Sequence, residues 1–160
     1  MSVEVTVAYL VSSSNTVENT FTVGAVSITL KETTGTEYKM IPGATVAKDP
    51  AVTVLANSEA CWLFVKLEKT GAFDTFCTYA IGDGWTELAG HHGVYYRQVE
   101  HSSENQVFPV LKNDSILIRD TLTEELLNTV TENPTLKLTA YAVQSDGMET
   151  AHIAWQMLNP

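Results

Sequence analysis

Basic residues are scarce in this chain: nine lysines and arginines stand against 19 aspartates and glutamates, for a net charge of −10. Phosphate binding needs clustered Lys and Arg, so this balance argues against a nucleic-acid partner. It argues equally against an anionic membrane surface. Long apolar runs are missing: no stretch of 18 apolar residues occurs, which excludes a helical transmembrane segment. Cysteine is limited to Cys61 and Cys77. A hairpin about Thr70-Gly71-Ala72 would pair Cys61 near Gly82 and Cys77 near Lys66. The two would not be cross-strand neighbours, so free buried thiols are expected rather than a disulfide.

Catalytic signatures are absent as well. There is no His-Glu-x-x-His, no Gly-x-Ser-x-Gly elbow, no phosphate loop and no dinucleotide glycine fingerprint. No Asp-x-Asp-x-Asp-Gly run exists, which excludes an EF-hand. The start, Met1-Ser2-Val3-Glu4-Val5, lacks the basic and long apolar regions of a signal peptide.

What the chain does have is a period of two. Its 160 residues fit one domain, 1–160, with room for a sizeable core. Val3, Val5, Val7 and Tyr9 alternate with polar or small residues, which predicts a half-buried strand over 1–11. Ser12-Ser13-Ser14-Asn15 reads as a loop. Phe21 and Val23 alternate, then Val26, Ile28 and Leu30 resume on shifted parity. The shift at Gly24-Ala25 suggests a β-bulge. Cys61, Leu63, Val65 and Leu67 mark a strong strand, with Trp62 and Phe64 beginning its second face. Further strands are expected at Val52–Val54, Phe76–Ile81, Val94–Val99, Val107–Leu111, Ile116–Ile118 and Leu136–Val143.

Two short helices complete the pattern. Thr121-Leu-Thr-Glu124 reads as a capping box opening a helix within 121–130. Ala151, Ala154, Trp155 and Leu158 fall at i, i+3, i+4 and i+7, one apolar stripe of a helix over 149–158. Many short strands with turns between them predict an all-β fold, a jelly-roll-like two-sheet β-sandwich with these two helices.

The histidines are the main candidates for chemistry. His91 and His92 sit in Ala89-Gly90-His91-His92-Gly93, a turn ahead of a strand. Neighbouring residues on an extended chain point to opposite sides, so the pair reads first as a surface loop. His152 falls on the polar side of the last helix. Asp83-Gly84 and Asp146-Gly147 are turn dipeptides first, and a loop calcium site built from scattered carboxylates stays open. No cofactor is expected, and a bound metal ion is an open alternative.

Four segments in order carry a resemblance: Ala8-Tyr9-Leu10 with Val17-Glu-Asn-Thr-Phe-Thr-Val-Gly24 and Val26-Ser-Ile-Thr-Leu-Lys-Glu32; Tyr38-Lys-Met-Ile-Pro-Gly43 with Lys48-Asp-Pro50; Gly84-Trp85 with Gly93-Val-Tyr-Tyr96; and Leu138-Thr-Ala-Tyr-Ala-Val-Gln144 with the Ala151–Trp155 helix. Together they resemble exported bacterial proteins of the TasA/camelysin type, which a SipW-type signal peptidase processes. The resemblance implies an extracellular or cell-surface protein whose leader has been removed. It also implies a jelly-roll subunit that polymerises with copies of itself into biofilm-matrix fibres. In such subunits a flexible N-terminal strand completes the sheet of the next copy by strand addition. Val3, Val5, Val7 and Tyr9 would then fill the acceptor groove, with residues 12–16 as hinge. Some members are described as casein-cleaving metallopeptidases. That alternative would need a metal held by His91 or His92 with His101. A second alternative is a monomeric surface binding module.

Overall fold

Two long alternating segments form the centre of the molecule. The structure, a computed structural model, describes residues 9–12, 20–34, 37–70, 72–130 and 132–158. The strands in chain order are β1 (Tyr9–Ser12), β2 (Thr20–Val23), β3 (Ile28–Lys31), β4 (Glu37–Lys39), β5 (Thr45–Ala47), β6 (Ala51–Val54) and β7 (Cys61–Thr70). They continue with β8 (Cys77–Thr78), β9 (Thr86–Glu87), β10 (Val94–Val99), β11 (Gln106–Pro109), β12 (Ser115–Ile118) and β13 (Thr135–Gln144). The helices are α1 (Phe73–Phe76), α2 (Glu124–Leu127) and α3 (Ala151–Leu158).

β7 and β13 pair antiparallel over ten residues, from Thr135↔Thr70 to Gln144↔Cys61. This register puts Leu63, Val65 and Leu67 beside Ala142, Ala140 and Leu138, so the middle of one face of the pair is apolar, with Lys69 and Gln144 at its two ends. The remaining strands extend a seven-stranded sheet in the order β4-β1-β13-β7-β10-β9, with β2 also pairing β13. Against its apolar face lie two three-stranded sheets, β11-β6-β3 and β5-β12-β8. One core joins all three sheets: Ile28, Leu30, Val52 and Val54 from the first small sheet and Val46, Ile116 and Ile118 from the second meet Leu63, Val65 and Leu138. The protein is an all-β sandwich with short helices, and its second layer is divided in two.

The other face of the large sheet carries a second, smaller core under α3. Here the opposite parity is apolar: Phe64, Tyr141 and Val143 meet Ala151, Ala154 and Trp155 of the helix. Ring centroids of Phe64 and Tyr141 each lie 5.1 Å from that of Trp155. β7 is therefore buried on both sides at one end, as the aromatic start of its second face predicted.

Several local expectations change. The strand expected from Phe76 begins only at Cys77. Residues 73–76 form a helical turn whose Phe73 and Phe76, three apart, both face the core. The hairpin about residues 70–72 does not form, because β8 pairs with β12 and joins the other layer. Cys61 pairs with Val99 and Gln144, and Cys77 with Ile118; both thiols are free and buried. The parity shift at Gly24-Ala25 is not a bulge within one strand. β2 lies in the large sheet and β3 in a small one, so the chain changes layers there. Gly24 takes a φ of 90°, a conformation that a residue with a Cβ rarely adopts. The helix expected within 121–130 is α2, shorter than expected, and its cap is Thr123, not Thr121: Thr123 Oγ1 accepts from Leu126 N at 3.1 Å.

Candidate functional site

The expected assembly strand falls partly within the described residues. Val3, Val5 and Val7 lie outside them, and so do residues 13–16 of the expected hinge. Tyr9 begins β1 and Ser12 ends it. β1 runs between β4, to which it is antiparallel, and β13, to which it is parallel. β2 is parallel to β13 as well, further along it. Val11 pairs with Thr135 and Thr20 with Ala140. Between these pairs the chain advances nine residues while β13 advances five. β1 and β2 follow one another along β13 in the same direction.

Exposed apolar groups gather on the β2 side. Phe21 is 55% exposed and stacks on Tyr141 at 5.4 Å. Val23 is exposed too. On α3, His152 meets His91, which precedes β10. Met157 of the same helix is exposed.

Beneath the loops that follow β3 and β5 sits a buried ion pair. Lys48 Nζ donates to Glu32 Oε1 at 2.8 Å, with the two side chains 0% and 2% exposed. Burial holds the Lys48 ammonium below its ordinary pKa, against the opposing pull of Glu32 and Asp49. Asp49 caps the same corner. Its carboxylate accepts from the Thr33 and Thr34 backbone amides at 2.8 and 3.0 Å and from both hydroxyls. Partial burial alone would raise the Asp49 pKa, but these hydrogen bonds bring it below the usual value. The sequence reading missed this pair, although a signal existed. Glu32 continues the inward parity of Ile28 and Leu30, and Lys48 that of Val46.

A cleft of about 230 Å³ opens where β10 passes α1, lined by Leu67, Lys69, Asp74, Tyr79, His92 and Tyr95 among others. Lys69 Nζ donates to Asp74 at 2.8 Å and lies over the Tyr79 ring at 5.2 Å. Burial first, then nearby Tyr95 and carboxylates, pushes the Tyr79 hydroxyl well above its ordinary pKa. Tyr95 is raised by burial and then by Glu87. Both phenols stay protonated at neutral pH and the lysine is taken up by Asp74. The cleft therefore offers hydrogen bonds and not an activated nucleophile.

The candidate histidines part company. His92 faces Glu87, with Nδ1 3.5 Å from Oε2. His101 Nδ1 lies 2.9 Å from the Ser58 carbonyl oxygen. The His91 ring lies tilted against that of His152 and edge-on to that of Trp155. Among the described residues, no group of three or more His, Cys, Asp or Glu side chains is placed to hold a metal ion, so His91, His92 and His101 do not form one. Tyr95 and Tyr96 are both half-buried, one against each core. Comparison with protein-family models, curated proteins and solved structures found no match.

Proposed function

We propose that this chain is a secreted or cell-surface structural subunit that assembles with copies of itself through its N-terminal strand. The observation that carries the reading is the placement of β1: a four-residue strand set between β4 and β13, parallel to β13 and running in the same direction as β2 along it. A strand this short is held in its slot by few main-chain bonds and can leave it. The slot, bounded by β4 and β13, then offers unpaired main-chain groups on both sides to the same strand of another copy. The exposed Phe21 and Val23 on the neighbouring β2 add apolar surface beside that slot. The resemblance to TasA/camelysin-type proteins points the same way.

Deleting Met1–Leu10 tests the reading. Light scattering and electron microscopy should show concentration-dependent oligomers or fibres for the full chain. The deletion variant should remain folded by circular dichroism and stay monomeric. A deletion variant that assembles as the full chain does would remove the strand from the mechanism. One that unfolds outright would make β1 an intrinsic part of its own domain.

A further inference from the structure

His91 and His152 come from distant parts of the chain, yet their ring centroids lie 5.4 Å apart with planes inclined by 54°. A zinc–imidazole bond of about 2.0–2.1 Å puts the ion about 3.2 Å from the ring centroid. Two rings on one tetrahedral ion then have centroids about 5.2 Å apart, against about 4.5 Å for a square-planar cis pair and about 6.4 Å for a linear one. The observed 5.4 Å is near the tetrahedral value and also within the range of about 4.5–7 Å of an ordinary ring contact.

We propose that His91 and His152 chelate a divalent transition-metal ion through one ring nitrogen each, fastening α3 to the loop ahead of β10. Both backbones are already fixed. His91 N donates to Leu88 O at 3.0 Å and Val94 N donates to His91 O at 3.1 Å, a tight turn between β9 and β10. His152 rides on a helix pinned by the buried Ala151, Ala154 and Trp155. The Trp155 ring, 6.0 Å from that of His91, shelters one side. No movement of the main chain is needed to bring the two ligands together, so little ordering entropy opposes binding. Two imidazoles suit Zn²⁺, Cu²⁺ or Ni²⁺ over Mg²⁺ or Ca²⁺, and water completes the coordination. The net charge of −10 favours accumulation of any cation near the surface.

The test is calorimetric titration of the full chain with Zn²⁺ at pH 7.5, repeated with excess Mg²⁺. One ion should bind per chain, undisturbed by Mg²⁺. His152→Ala, a change at an exposed side chain, should weaken binding at least about tenfold, and His91→Ala should do the same. His101→Ala should bind as the parent does. Zn²⁺ should raise the melting temperature of the parent but not of His152→Ala, which keeps the test valid if His91→Ala folds poorly. Absence of binding, or a His152→Ala protein that binds zinc as tightly as the parent, overturns the proposal.

Discussion

Lys48 Nζ and Glu32 Oε1 meet at 2.8 Å inside the sandwich, with both side chains out of contact with water. Their attraction offsets a large desolvation cost, and the net contribution of such a pair to stability is small. Removing one partner is a different matter, because the other charge stays buried without its counter-ion. Lys48→Met should destabilise the fold by about 3–5 kcal/mol in urea unfolding. The double variant Lys48→Met with Glu32→Leu should recover most of that loss. A double-variant cost equal to the sum of the two single-variant costs would show that the pair is not coupled.

Asp49 gives the corner a pH dependence. Its folded-state pKa is depressed, so its contribution is present above the unfolded value and is lost as pH falls through the lower folded one. At pH 7, Asp49→Ala should cost about 1.5–3 kcal/mol, the range for hydrogen bonds to a charged group. The gap between variant and parent should narrow as pH drops below about 4. A gap that stays constant down to pH 2 would assign the loss to packing instead.

The two thiols should be chemically silent in the folded protein. Burial pushes Cys61 and Cys77 each up to about 12, so almost no thiolate exists at pH 8. A thiol reagent at pH 8 should label neither in the native state and both in denaturant, with labelling rates that follow unfolding. Fast native labelling of either residue would contradict its burial.

The sandwich was legible because its main strands follow one rule. Period-two alternation located β7, β10 and β13 to within a few residues, and the helical stripe of Ala151, Ala154 and Trp155 located α3. What stayed hidden depends on pairing between distant segments. Nothing local says that β1 runs parallel to β13, or that β8 joins β12 and not β7. Phe73 and Phe76 satisfy helical spacing over too few residues to outweigh the strand pattern after them. Lys48 and Glu32 hold inward positions that ordinary charge arguments assign to solvent, and only each residue's own strand parity gave them away. The contact of His91 with His152 joins a loop to a helix and leaves no spacing motif.

Strand addition in trans is the most direct measurement of the central claim. A fluorescent peptide of residues Met1–Ser12 is titrated into the protein lacking those residues, and its anisotropy is followed. Saturable binding is predicted. The peptide carrying Leu10→Pro should bind at least about tenfold more weakly, because proline removes an amide donor from the middle of a paired strand. Absence of peptide binding, together with assembly of the truncated protein at the full chain's concentration, would contradict the account.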